Sequence, residues 1–113
     1  MERNYSIEKL SEIAGGDEDF MKVVAQTFLE EIPQDLQSLL EAIENNNKEL
    51  TYQFAHKMKP NLEMFGIDVL KEVKAIESWT KTTKKVSDIS DQTEKVYLVL
   101  TSVFEELKAD FSL

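Results

Sequence analysis

Lys48-Glu-Leu-Thr-Tyr-Gln-Phe-Ala-His-Lys-Met-Lys-Pro-Asn-Leu-Glu-Met-Phe-Gly66 carries the chain's single histidine, His56, and four residues later Pro60. Leu50, Phe54, Met58, Leu62 and Phe65 recur at helical spacing. At about 100° per residue they fall within about 120° of arc. The pattern predicts one amphipathic helix from about Lys48 to Phe65, stopped by Gly66. Its core stripe leaves His56 about 180° from the stripe centre, on the solvent face. Tyr52 and Lys59 share that face, one turn either side of the imidazole.

Working outward, Asn45-Asn46-Asn47 supplies a turn before this helix, since asparagine tolerates left-handed backbone angles. A long segment precedes it. Asp17 is its predicted cap, and Phe20, Val23, Val24, Phe28 and Ile32 are its apolar positions. Pro33 is expected to kink or reset that helix before the pattern resumes at Leu36, Leu39, Leu40 and Ile43. Ser6 to Ala14 reads as a short leading helix closed by Gly15-Gly16. On the other side, Asp68 to Trp79 carries Leu70, Val73 and Ile76 at helical spacing, and Lys81 to Ser87 is a polar loop. The final segment, from Asp88–Asp91 onward, places Val96, Val99, Leu100, Val103, Phe104 and Leu107 on one face. Tyr97 to Phe104 is rich in strand formers, but the length of the pattern favours helix. Short turns between long amphipathic helices force antiparallel neighbours. The expected fold is all-α: an antiparallel four-helix bundle with a short N-terminal helix, one domain over residues 1–113 with its core in about 7–108.

Composition narrows the function. The chain has 113 residues, 42% of them hydrophobic, only 3 glycines and 2 prolines, and no cysteine. Disulfides and thiolate metal sites are excluded. The formal net charge is −9, and apart from Lys81, Lys84 and Lys85 the lysines are scattered. Neither nucleic acid nor an anionic membrane is an expected partner. No segment is long and apolar enough to span a bilayer. Residues 1–4 lack the apolar run of a signal peptide, so the cytoplasm is the expected compartment, and the Met1 start favours a free-standing protein.

His56 on a solvent face is not a core histidine. One histidine with no cysteine and no carboxylate at i+4 makes a poor metal shell. The plain reading is a surface histidine without a role. Lys59, three residues on, offers another: its ammonium can neutralise a phosphoryl group carried on the imidazole. Pro60 has no N–H for the His56 carbonyl, and its ring crowds that oxygen at a cost of about 3 kcal/mol. Either the helix bends at His56, or Pro60 opens a second helix. The stripe continuing in phase through Leu62 and Phe65 favours one bent helix.

His56-Lys57-Met58-Lys59-Pro60-Asn61-Leu62 resembles the motif of histidine-containing phosphotransfer (HPt) domains, which reads His-x-apolar-Lys-Gly-small-small. His56, Met58 and Lys59 match. Pro60 stands where the family usually has glycine, and Asn61 and Leu62 where it has small residues. The leading helix, the Gly15-Gly16-Asp17 turn, the long helix with its proline, the Asn45–Asn47 turn and Phe65-Gly66 occur in the family's order. The resemblance spans roughly Ile7 to Lys108.

The resemblance implies a carrier rather than an enzyme. It implies that His56 takes a phosphoryl group from a receiver-domain aspartate and later returns it to another. The implied partners are response-regulator receiver domains and a hybrid histidine kinase. Magnesium would belong to the receiver, and the chain itself would need no cofactor. Neutral imidazole is a nucleophile near pH 7. Positive charge favours the charge-rich transfer. Lys59 is the first candidate for that charge and Lys57, turned toward a neighbouring helix, a weaker one. Tyr52, Gln53 or a residue of an adjacent helix is in reach of the other ring nitrogen. Folding back about Asn46-Asn47 sets Gln34, Gln37 and Ser38 level with His56 as candidate docking contacts, beside Pro60 and the leading helix (Ile7, Leu10). Glu49 and Glu63 lie two turns from His56 and read as solvated charges.

Two rivals remain. One is a non-catalytic helical interaction module whose acidic surface binds a basic partner. The other, a histidine-kinase dimerisation domain, wants an acidic residue after the histidine, where this chain has Lys57, and a Gly-rich nucleotide lid. A bundle that closes its own core is expected to be monomeric.

Overall fold

The computed structural model describes residues 3–113. Among them are five α-helices and one 3-10 turn: α1 (Ile7–Ile13), α2 (Glu18–Glu44), α3 (Lys48–Met64), α4 (Leu70–Trp79), the 3-10 turn Val86–Ile89 and α5 (Ser90–Phe111). Helix α2 packs on α3 and α5, and α4 packs on the same two, so the four close a ring around one core. The fold is an all-α antiparallel bundle, with α1 laid against α2.

Caps set the boundaries. Ser6 Oγ accepts from Lys9 N at 3.1 Å, Asp17 Oδ1 from Asp19 N at 3.0 Å, and Asn47 Oδ1 from Leu50 N at 3.1 Å. Asn46 takes φ 55° in the α2–α3 turn, the left-handed angle that asparagine tolerates. Gly66 ends α3 at φ 61°, where a Cβ would lie 2.8 Å from Ser6 Cβ. That close approach lets Ser6 N donate to the Phe65 carbonyl at 2.7 Å, tying the chain start to the end of α3.

The core is aromatic at its centre. The Phe28 ring lies 4.4 Å from Phe65 and 6.1 Å from Phe104, centroid to centroid. Fully buried Leu10, Ile32, Leu39, Met58, Leu62, Ile76, Leu100 and Leu107 surround it. The N-terminal strap closes on α5. Arg3 donates to Asp110 at 2.6 and 3.2 Å, and the Tyr5 hydroxyl donates to Asp110 at 2.6 Å. Asn4 donates twice to Glu106, at 2.7 Å from its backbone and 2.6 Å from its amide.

Several faces differ from the sequence expectation. Both prolines sit inside continuous helices, so Pro33 does not reset α2 and Pro60 does not open a new helix. In α2 the core takes Met21, Ala25, Phe28 and Ile32, while Phe20 and Val23 are 47% and 54% exposed. In α3 it takes Thr51, Ala55, Met58 and Leu62, while Leu50 is exposed and Phe54 half-buried. Small Ala55 and hydroxyl-bonded Thr51 let neighbouring helices approach closely. Thr51 satisfies its hydroxyl on the Asn47 carbonyl at 2.7 Å. Large apolar residues alone mislocate the stripe by about 50° of helix rotation.

Candidate functional site

That rotation decides where His56 points. It lies about 130° from the observed stripe centre rather than opposite it. The imidazole therefore leans toward α4 while its side chain stays 63% exposed. His56 Nδ1 is 3.2 Å from Glu77 Oε2. A carboxylate only accepts, so Nδ1 donates in this contact, and in the neutral ring the lone pair is then on Nε2. Glu77 is one turn beyond Val73 on α4, at the edge of the apolar stripe, and its side chain is 11% exposed.

Lys59 meets the same carboxylate, Nζ to Glu77 Oε1 at 2.6 Å, with its own side chain 24% exposed. One buried carboxylate thus holds both residues of the motif, one on each oxygen. A buried carboxylate needs such partners to repay its desolvation.

Tyr52, one turn before His56, stacks on the imidazole with centroids 5.6 Å apart and planes 9° from parallel. Lys81 Nζ lies 5.6 Å from the centre of the Tyr52 ring. The loop that brings Lys81 there is anchored. Lys48 Nζ donates to the Thr82 carbonyl and, at 3.0 Å, to the Lys84 carbonyl, and it lies 4.7 Å from the Trp79 ring centre. Trp79 Nε1 donates to the carbonyls of Lys84 and Lys85 at 3.1 and 3.0 Å. The result is an open pocket of about 370 Å³ lined by Tyr52, His56, Lys59, Lys74, Glu77, Ser78 and Lys81.

The other expected residues are placed elsewhere. Lys57 turns to α2 and pairs with the buried Asp35, Nζ to Oδ1 at 3.0 Å, so it staples two helices on the far side of α3. Gln53 lines an adjacent cleft with Lys48, Glu49, Thr80 and Lys81, not the histidine pocket. Gln37 donates to Glu41 at 3.3 Å and lines the groove between α2 and α5, so it is not beside His56. The pocket is walled by α3 and α4, which removes Gln37 from its rim. Pro60 is exposed on the same helix, one turn past His56. Ile7 is exposed and Leu10 fully buried, so the leading helix uses Leu10 for packing.

Sequence reasoning missed Glu77, Ser78 and Lys74, and saw Lys81 only as part of a basic run. The available signal was an acidic residue on the flank of the α4 stripe, about 40° of helix rotation from Val73. Compared with family models, with curated proteins and with solved structures, the chain matches none. Among the described residues no helix is long and apolar enough to cross a membrane.

Proposed function

We propose that the chain is a histidine phosphotransfer domain, carrying a phosphoryl group between receiver-domain aspartates on Nε2 of His56. The observation that carries this reading is the division of the imidazole: Nδ1 is held by Glu77 and Nε2 is left free at an exposed surface. That is the arrangement a nucleophilic histidine needs, a fixed tautomer and an open approach.

In the transfer, the Nε2 lone pair attacks phosphorus in line, the P–O bond to the donor aspartate breaks, and that carboxylate leaves with its electron pair. The ring retains its Nδ1 proton and becomes a phosphorylated imidazolium, its charge balanced by Glu77. Return to a second receiver reverses these bonds. The exposed Pro60 leaves the approach to Nε2 unscreened by a long side chain. The receiver brings the magnesium and the carboxylates that bind it. The chain acts as a carrier with no nucleotide of its own, as a monomer, in the cytoplasm, downstream of a hybrid histidine kinase.

The test is transfer of labelled phosphate from a panel of phosphorylated receiver domains to the parent and to His56→Gln. The reading requires acid-labile, base-stable label on the parent alone. A folded parent that no receiver labels leaves a helical interaction module in its place.

A further inference from the structure

The motif lysine is already engaged. Lys59 Nζ sits 2.6 Å from Glu77, and its charge is offset there before any ligand arrives. Lys74 and Lys81, in the same pocket, form no ion pair with any described residue. Both are exposed, and Ser78 presents a hydroxyl between them in sequence, one turn from each on the α4 spiral. Lys81 follows the end of α4, yet it is not a free tail. The Lys48 and Trp79 contacts fix the loop that follows it, and the Tyr52 ring beneath it is stacked on His56.

The geometry points to Lys74, Ser78 and Lys81, rather than Lys59, as the receptor for a tetrahedral oxyanion at the His56 pocket, the phosphoryl group that Nε2 carries. This assignment rests on the carrier reading for the source of the oxyanion. It gives the two lysines the task of holding the phosphoryl oxygens after transfer, while Lys59 stays paired with Glu77, which holds the ring. Charge-assisted hydrogen bonds from two unpaired ammonium groups suit the three oxygens of a phosphoryl group. The loop strap explains why one of those cations comes from outside a helix. The chain as a whole carries a net charge of −9, so two lysines lining the imidazole pocket without a carboxylate partner among the described residues set its local charge against the overall balance.

Phosphoramidate tests this without any receiver. Its P–N bond breaks, ammonia leaves, and phosphorus bonds to Nε2. The lifetime of the resulting phosphohistidine is then followed by phosphorus NMR in the parent, Lys59→Gln, the double variant Lys74→Gln/Lys81→Gln, and the rescue Lys74→Arg/Lys81→Arg. The glutamine double variant is expected to shorten the lifetime about tenfold. The arginine variant should restore it, and Lys59→Gln should change it less than the double variant does. A merely structural role would not separate glutamine from arginine at exposed positions, and circular dichroism reports the fold of each variant. An unchanged lifetime in the double variant, a larger effect from Lys59→Gln, or a parent that phosphoramidate does not label would overturn the assignment. Receivers that fail to label a protein showing the lysine effect would remove the carrier reading and leave the oxyanion pocket. Receivers that do label a protein without the lysine effect would do the reverse.

Discussion

Glu77 Oε2 lies 3.2 Å from His56 Nδ1, joining α4 to α3 through the one imidazole in the chain. Because Glu77 is buried and His56 is exposed, the carboxylate is the fixed partner and the ring is the group it orients. The same carboxylate anchors Lys59.

Removing that carboxylate is expected to release both partners. In Glu77→Ala the Nδ1–H tautomer loses its acceptor, and the neutral ring shifts toward Nε2–H, the form ordinarily preferred by a free imidazole. Nitrogen NMR of the imidazole reads this directly. Stability should fall by about 1–3 kcal/mol, since Lys59 is left half-buried without its partner. Phosphoryl uptake should slow about tenfold or more, because the nucleophilic nitrogen is then often protonated. An unchanged tautomer in Glu77→Ala would remove the orienting role.

Pro60 leaves the His56 carbonyl without a donor inside a continuous helix. Pro60→Ala restores that donor and removes the ring's crowding. The expected gain is about 1–3 kcal/mol in unfolding free energy, measured by denaturant titration. A loss of stability would mean that the ring of Pro60 makes a contact whose value exceeds the missing hydrogen bond.

Gly66 is the glycine where substitution meets both strain and a clash. Its φ is 61°, and an added Cβ would lie 2.8 Å from Ser6 Cβ and 3.1 Å from Lys9 Cδ. Gly66→Ala should cost about 2 kcal/mol or more. Gly15→Ala has a similar φ of 62° but open space around it, and should cost about 1 kcal/mol. Equal effects at the two sites would show that the Ser6 approach contributes nothing.

The N-terminal strap makes stability depend on pH at both ends. Hydrogen bonds from Arg3 and then Tyr5 hold the Asp110 carboxyl below its usual range. A depressed folded value means that its contribution is complete above the ordinary Asp range near 4 and is lost as pH falls through the lowered value. Burial, then the hydrogen bond to Asp110, pushes the Tyr5 phenol above its usual range. Its contribution is complete below about pH 10 and declines at higher pH. Asp110→Asn should flatten the acid limb of the stability profile, and ultraviolet titration should find Tyr5 ionising later in the parent than in the variant. A parent and variant with superimposable acid limbs would contradict the strap.

Much of this was legible in the chain before its structure. The caps at Ser6, Asp17 and Asn47 and the stop at Gly66 are local chemistry, and the helices begin and end where that chemistry puts them. The exposure of His56 followed from periodicity alone, as did Lys57 turning to a neighbouring helix, where Asp35 meets it. The rotation of α3 was not legible, because Thr51 and Ala55 earn their burial by fitting beside other helices rather than by hydrophobicity. Phe20 and Val23 show the reverse: apolar residues at helical spacing that no partner helix covers. Glu77 and Lys74 were out of reach because spacing within one helix cannot say which face of another will be opposite. Gln37 lines the α2–α5 groove rather than the His56 pocket for the same reason; level along the axis is not the same as adjacent around the ring.

With Glu77 on Nδ1, Nε2 of His56 is the proposed phosphoryl acceptor. The most direct measurement is phosphorus–nitrogen coupling in nitrogen-labelled protein phosphorylated by a receiver domain. Phosphorus on Nε2 of His56, with the Nδ1 proton retained, is the expected result. Phosphorus on Nδ1, or on any residue other than His56, would contradict it.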